Sequence, residues 1–192
     1  MFTYYLSPSG SDDDNGLSPA FPWRTIDRFN RHTHEPGDVT LFRAGGVFPG
    51  SIALSPIPTT LGVYDGARAT ILSGPRDGVA GGSHQVRIRN LLFQGDGTEQ
   101  EACGVNFSTE GSDFELTDVE CRGYVKAGVY FGGRFADLRI LRGKFNDNGN
   151  GLFISGGDTQ GNLAKNVTVQ DTEASFNNRN FLPVPGNGFE IV

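Results

Sequence analysis

The sequence has few of the features that mark membrane or nucleic-acid-binding proteins. No apolar run approaches the ~20 residues needed to cross a bilayer, and the opening MFTYYLSPSG has neither the basic nor the apolar region of a signal peptide. The net charge is −6, and no Lys/Arg cluster is present to neutralise a row of phosphates. We therefore expect neither a membrane nor a nucleic-acid partner.

Cysteine is also scarce. The two cysteines, Cys103 and Cys121, lack the CxxC spacing of a metal site, and Cys121 falls where the repeat described below needs an inward apolar side chain. We predict two buried free thiols, with a disulfide between them as the alternative.

Glycine is abundant, at 28 of 192 residues, and part of it recurs in one phrase. Gly-apolar-x-apolar appears as GVNF at 104–107, GVYF at 128–131, GLFI at 151–154 and GFEI at 188–191. The steps between these glycines are 24, 23 and 37 residues, so the third step is the same period with an insertion. The chain is therefore a repeat of one structural unit.

A second phrase recurs within each period, as VRIRNLLF (86–93), FELTDVEC (114–121), LRILRGKF (138–145) and VTVQDTEA (167–174). Its alignment puts four polar residues in one column: Asn90, Asp118, Arg142 and Asp171. All of them except Arg142 are turn-forming types. Each period is thus predicted to contain three short strands, one in the glycine phrase, one before the polar column and one after it.

Strands this short are stable only when stacked, which predicts a single all-β domain over 1–192 built as a parallel β-helix, or solenoid. Period-2 alternation turns one set of side chains inward and predicts that the following are buried: Val105, Phe107, Leu116, Val129, Phe131, Ile140, Phe145, Leu152, Ile154 and Val169. The alternative is an antiparallel sandwich, but loops such as 94–103 and 155–166 do not look like hairpins.

The first fifty residues carry a resemblance to a known family. YYLSPSGSDDDNG, PWRTI and PGD are similar to the Y-x-S-P-x-G-x-D, P-W-x-T-I and P-G-D that open many proteins of the pectate-lyase-like superfamily. The resemblance implies a right-handed single-stranded β-helix and an extracellular or cell-surface location. It also implies that residues 1–38 carry a short capping helix and that residues 39–192 form the coils.

The capping helix has local support in the sequence. Thr25 suits an N-cap, Ile26 and Phe29 suit one buried face, and Pro36-Gly37 would end the helix. The cap is needed because the first coil would otherwise expose an apolar column and a strand edge.

No metal site is predicted. Asp12-Asp13-Asp14-Asn15-Gly16 lacks the DxDxDG spacing and distant Glu of a calcium loop and suits a solvated turn. Calcium as a cofactor follows only from the family resemblance. Nine of the 13 Asn residues follow residue 145, and we predict that they are structural, forming side-chain ladders between coils.

The resemblance places the substrate along the strand that precedes the longest loops, which here is the glycine phrase. The outward residues of that strand form the column Asn106, Tyr130, Phe153 and Glu190. Coils ~4.8 Å apart would place Tyr130 beside Phe153 as an aromatic strip suited to sugar rings. The alternative is that these rings only pack beneath a loop.

Candidate catalytic groups lie on the flanking loops. β-Elimination on a uronate needs a base and a cation, and Lys126, Arg134 or Arg179 could supply the cation. Hydrolysis needs two carboxyls, for which Asp147 and Glu190 are nominated. The predicted catalytic residues are Lys126, Asp147 and Glu190, and the predicted substrate-binding residues are Asn106, Tyr130, Arg134, Phe153, Asp158 and Arg179.

Two alternating charge columns are predicted to be solvated salt-bridge ladders rather than sites: Asp118–Arg142–Asp171 and Glu120–Lys144–Glu173. The N-T-D, G-H-G and R-I-K motifs of polygalacturonases are absent, as is the D-P-H-D of mannuronan epimerases. The chemistry is therefore not fixed by a motif.

Two classes of function remain open. The first is a polysaccharide lyase or glycoside hydrolase acting on an acidic or a plant or algal polysaccharide, and the second is a non-catalytic glycan-binding β-helix, as in adhesins and tail-spike-like proteins. Converging carboxylates or cations with shifted pKa values in a cleft would favour the enzyme, and a flat aromatic face would favour the binder.

The chain stops at GFEIV, with Phe189 and Ile191 in inward positions of an unfinished coil. We expect the N-terminal part of a longer protein, whose open last coil offers a surface for self-association. Loops 155–166 and 175–187 are expected to form the walls of the main groove.

Overall fold

The computed structural model describes residues 1–108, 110–155, 164–178 and 188–191, and for 190 and 191 it describes the backbone only. Three parallel sheets make up the fold. Sheet A contains β1 (Thr3–Leu6), β2 (Asp38–Arg43), β5 (Thr59–Tyr64), β8 (His84–Arg89), β11 (Gly111–Thr117), β14 (Phe135–Leu141) and β17 (Lys165–Gln170). Sheet B contains β3 (Val47–Pro49), β6 (Ala69–Gly74), β9 (Leu91–Gly95), β12 (Glu120–Arg122) and β15 (Lys144–Phe145). Sheet C contains β4 (Ile52–Leu54), β7 (Val79–Gly81), β10 (Cys103–Phe107), β13 (Ala127–Gly132), β16 (Asn150–Ser155) and β18 (Phe189–Ile191).

Successive coils pass through sheets A, B and C in turn, which makes a parallel β-helix of about five turns. The glycine phrases form sheet C, and the second phrase supplies neighbouring strands of sheets A and B, so the three-strand coil is confirmed. The antiparallel sandwich is wrong, because β10, β13 and β16 pair in parallel.

The predicted register is confirmed in sheet C, where Asn106 aligns with Tyr130 and Tyr130 with Phe153. Nine of the ten predicted core residues are buried. Val169 is the exception at 38% exposure, so its predicted burial is wrong. In the part of the chain that the structure describes, β17 is the last strand of sheet A, and no further coil covers Val169 as β17 covers Ile140.

The polar column marks the corner between sheets A and B. Its members share the left-handed backbone, with φ of 59° at Asn90, 55° at Asp118, 52° at Arg142 and 51° at Asp171. Asn and Asp tolerate this conformation better than most residues. Arg142 contributes a fork of two hydrogen bonds to Asp118, at 2.8 and 2.6 Å, and this bonding lowers the pKa of the Asp118 carboxyl.

The glycines of the repeat are required by close stacking of sheet C. A β-carbon at Gly104 would lie 2.5 Å from the Gly128 carbonyl oxygen, and one at Gly128 would lie 2.8 Å from that of Gly151. A β-carbon at Gly151 would lie 2.5 Å from the Gly188 oxygen. The backbone of a packed coil cannot move aside as a flexible side chain can, so a β-carbon has no room at these positions. The recurring glycine therefore follows from the short distance between coils.

The short helix α1 (Ile26–Arg31) begins as predicted. The Thr25 side chain accepts the Arg28 backbone N–H, and Ile26 and Phe29 are buried. The expected end at Pro36-Gly37 is wrong: the helix ends at Arg31, because the next residue, His32, is extended and packs its ring against an aromatic cluster.

Asp12, the first residue of the Asp-rich run, holds the start of the helix in place by hydrogen bonds. Asp12 accepts hydrogen bonds from the backbone N–H groups of Arg24 and Thr25, both at 2.9 Å, and from the Thr25 hydroxyl at 2.7 Å. Burial opposes ionisation of Asp12, but these hydrogen bonds outweigh it and lower the pKa of its carboxyl.

An Asn ladder is present at the corner between sheets B and C. The buried Asn148 accepts the Tyr124 N–H at 3.1 Å and donates to the Cys121 carbonyl at 2.9 Å, and Asn177 accepts the Asn148 N–H at 3.0 Å one coil later. Cys103 and Cys121 are buried free thiols, as predicted, and burial raises the pKa of both.

Candidate functional site

An open groove of ≈ 580 Å³ lies where the corners between sheets B and C meet the outer face of sheet C. The segment 96–102, here called the loop wall, supplies part of its lining and is longer than the equivalent corners 75–78, 123–126 and 146–149. The charged and aromatic groups that line the groove are Arg76, Asp77, Glu99, Glu101, Lys126 and Tyr130, and Asn106 also lines it.

Lys126 joins the loop wall to the aromatic face. Its ammonium donates to Glu101 Oε2 at 2.9 Å and lies 4.3 Å from the centroid of the Tyr130 ring. Partial burial by itself would lower the pKa of Lys126, but the hydrogen bond and charge of Glu101 outweigh burial and raise that pKa. Lys126 is therefore a fixed cation rather than a base at neutral pH.

Asp77 organises the start of β10. One carboxylate oxygen accepts the Cys103 N–H at 2.7 Å, and the other accepts the Asn106 Nδ2–H at 2.9 Å. These bonds fix the orientation of the Asn106 amide and leave its Oδ1 buried without a partner among the described residues. Both donors are neutral, so these two hydrogen bonds do not neutralise the negative charge that Asp77 brings to the groove.

Tyr130 and Phe153 form the predicted aromatic pair on neighbouring strands of sheet C. Their ring centroids are 5.4 Å apart, but the planes are inclined at 58°, so the rings are tilted and do not form a flat strip. A β-carbon at Gly132 would lie 2.4 Å from the Tyr130 hydroxyl, which shows that the ring lies along its own strand above Gly132. Both rings are half-buried.

Two other predicted site residues that the structure describes, Arg134 and Asp147, are not among the residues that line this groove. Arg134 lies 3.6 Å from Glu110 and lines a separate groove of ≈ 310 Å³, which Lys165 also lines. Asp147 is exposed at the corner before β16, in the left-handed conformation with φ of 60°. Glu190 aligns with Phe153, but its side chain lies outside the described residues.

Asp158, Arg179 and most of the loops 155–166 and 175–187 also lie outside the described residues. The nominated carboxylate pair Asp147 and Glu190, and the roles of Asp158 and Arg179, stay predictions. The same holds for the expectation that these loops form the walls of the groove.

Sequence reasoning missed four charged residues of the groove: Arg76, Asp77, Glu99 and Glu101. A signal was present for Glu99 and Glu101, because the segment 96–102 interrupts the repeat with an excess of polar residues at the corner before a glycine phrase. Corner loops of unequal length are where solenoids place their binding groups.

Among the residues that the structure describes, no three His, Cys, Asp or Glu side chains come together as metal ligands. No described helix is long and apolar enough to span a membrane.

The fold and the groove together define a parallel β-helix with a charged and aromatic surface site. No protein-family model matches the sequence, and no curated protein is significantly similar to it. Two solved structures of GH136 lacto-N-biosidase from Eubacterium ramulus, native and selenomethionine forms, are similar at 16% and 14% identity, each with a TM-score of 0.45. The alignments cover 89% and 98% of this chain but 34% and 40% of theirs, so the chain spans between a third and two fifths of those proteins.

Proposed function

We propose that the groove beside Tyr130 is a saccharide-binding site and that the protein is a carbohydrate-active β-helix. The observation that carries this proposal is an open groove in which charged hydrogen-bonding groups lie beside the half-buried Tyr130 ring, which pairs with Phe153 on the next strand. Sugars offer apolar C–H faces to aromatic rings and hydroxyls to carboxylates, amides and ammonium groups.

The shape of the groove suits a chain rather than a small compact ligand. It is open to solvent and runs across neighbouring coils, from Asp77 past Asn106 to Tyr130. A polymer can lie along such a surface, whereas most small-molecule sites are enclosed and largely apolar.

Catalysis is the second candidate, and the observation that favours it is the presence of three carboxylates in the same groove: Asp77, Glu99 and Glu101. Hydrolysis requires two carboxyls, one of them able to donate a proton. Against this role, Asp77 and Glu101 are already engaged as hydrogen-bond acceptors, and Glu99 is exposed to solvent. Binding is therefore the better-supported function, and hydrolysis or β-elimination is the alternative.

Several expectations from the sequence remain proposals: a right-handed coil, a capping role for α1, membership of the pectate-lyase-like superfamily and an extracellular or cell-surface location. Self-association through the last coil is also proposed. The exposure of Val169, at 38%, and of Phe189, at 48%, supports it.

The binding proposal is tested by affinity electrophoresis and calorimetry against polygalacturonate, alginate, xylan and laminarin. We expect at least one polymer to bind, and Tyr130→Ala and Phe153→Ala each to weaken that binding about two- to tenfold. Phe21→Ala is the matched control, because Phe21 is an exposed ring, at 59% exposure, that does not line the groove. Unchanged affinity in both aromatic variants would contradict saccharide binding at the Tyr130–Phe153 pair.

The same polymers test catalysis. Reducing ends report hydrolysis, and ultraviolet absorbance of unsaturated ends reports β-elimination. Product formation that is lost in Glu101→Gln would favour the enzyme, and binding without either product would favour the binder.

A further inference from the structure

We infer that the groove selects a neutral, hydroxyl-rich glycan and disfavours a polyuronate. This inference rests on the proposed saccharide-binding function and names the class of ligand. It differs from the acidic substrate that the sequence suggested, and the charges of the groove carry it.

The groove has more negative than positive side chains. Three carboxylates and two cations line it, which leaves an excess of one negative charge in a protein whose net charge is −6. Unit charges ~4 Å apart interact by roughly 1 kcal/mol in bulk water and roughly 4 kcal/mol near a protein surface, so a uronate chain along the groove would meet more repulsive than attractive charge.

Lys126, the cation of the groove that lies over the Tyr130 ring, is already engaged. Its ammonium donates to Glu101 at 2.9 Å and lies above the Tyr130 ring, and only 27% of its side chain is exposed. A carboxylate ligand would have to share the Lys126 ammonium with Glu101, whose charge repels it, or displace Glu101 from that ammonium. In either case the ligand gains little net affinity from Lys126.

A neutral sugar meets none of these costs. The Asp77 oxygens accept hydrogen bonds from Cys103 and Asn106, and each carboxylate oxygen has capacity for a second donor. Hydroxyl donors can use that capacity, and hydrogen bonds to an ionised acceptor are stronger than bonds between neutral groups. Carboxylates beside an aromatic ring thus match a ligand with many donors and no charge of its own.

The test compares polymers that share a backbone and differ in charge. Polygalacturonate and alginate are each paired with their carboxyl-reduced forms, and xylan and laminarin extend the neutral set. We expect the tightest binding from a neutral polymer, by about tenfold over every polyuronate, with little dependence on salt because no ion pair with the ligand forms.

Charge reversal at the loop wall is the second arm. Glu99→Lys should narrow the preference for the neutral polymer by roughly threefold or more at low salt, since one repulsive charge becomes attractive. Glu110→Lys is the matched control, because Glu110 is exposed but lines the other groove, and it should leave the preference unchanged.

The outcomes distinguish the neutral-glycan inference from the proposed saccharide-binding function on which it rests. Tighter binding of a polyuronate, weakening as salt rises, would overturn the neutral-glycan inference and leave the saccharide site in place. An unchanged preference in Glu99→Lys would overturn the electrostatic basis of the inference. Binding of no polymer in either set would overturn the proposed function and the inference with it.

Discussion

The phenol ring of Tyr130 occupies the space that a side chain at Gly132 would need, because a β-carbon there would lie 2.4 Å from the Tyr130 hydroxyl oxygen. Residues two apart on a strand point to the same face, so Gly132 permits the ring to lie down along β13. The position of the aromatic side chain in the groove thus depends on a residue that has no side chain of its own.

Gly132→Ala should therefore act as a variant of the binding site. We expect the methyl group to lift the Tyr130 ring and to reduce saccharide affinity to the level of Tyr130→Ala, with a smaller effect on stability because the ring can rotate outward. Calorimetry on Gly132→Ala, Tyr130→Ala and the double variant measures this. Additive losses in the double variant would show that Gly132 does not act through Tyr130.

The stacked glycines predict a larger structural effect elsewhere in sheet C. Gly128→Ala would place a methyl group 2.8 Å from both the Gly151 carbonyl oxygen and the Asn148 amide, and we expect a loss of about 1–3 kcal/mol in the free energy of unfolding. Gly62→Ala is the control, since its methyl would meet only the end of the Leu41 side chain, at 3.3 Å. Equal losses in urea unfolding would contradict the stacking argument.

The aromatic centre of the core predicts a substantial cavity effect. Phe131 is fully buried, with ring centroids 5.2 Å from Phe107 and 5.1 Å from Phe135. Phe131→Ala should lower the free energy of unfolding by ~3–5 kcal/mol, and the exposed Phe176→Ala should change it by less than about 0.5 kcal/mol. A loss below about 1 kcal/mol for Phe131→Ala would be close to the effect of a surface substitution, and it would mean that the rings around Phe131 are not packed as described.

The N-terminal segment predicts a pH dependence of stability. The His32 and His34 rings lie 4.9 Å apart against Tyr4, and burial lowers the pKa of both below the ordinary 6.5. The Arg28 charge lowers these pKa values further. The Asp38 charge and, at His34, the hydrogen bond with a backbone carbonyl act in the opposite direction without reversing the shift.

The direction in which stability changes with pH follows from proton linkage. Below pH 6.5 the unfolded chain binds protons that the folded histidines do not, so the stabilisation is complete above pH 6.5 and is lost as the pH falls from there through the lower pKa values of the folded histidines. Unfolding midpoints in urea between about pH 5 and 8 should therefore fall on the acidic side. His32→Gln should flatten this dependence, and the exposed His84→Gln should not; a dependence unchanged in His32→Gln would exclude the cluster as its source.

Most of the fold could be predicted from the sequence because its determinants are local and repeated. Val105, Val129 and Leu152 alternate with polar or aromatic neighbours at a fixed period, and that period sets both the coil and its register. The predicted burial of Val169 was wrong because burial also needs a neighbouring coil on the far side of the strand. The residue pattern of one strand carries no information about that coil. The predicted end of the helix was wrong because the His32 ring packs against Tyr4 and Trp23, which lie elsewhere in the chain.

The amino-acid sequence by itself determined the parallel β-helix and the column Asn106–Tyr130–Phe153, because alternation and turn chemistry act over a few residues. Only the tertiary structure decided which charges meet that column. Asp77 reaches Asn106 across 29 residues and Glu101 reaches Lys126 across 25, because stacked coils bring corners of unequal length to one edge. The length of a corner fixes where its side chains arrive in space, and the sequence period carries no information about that position.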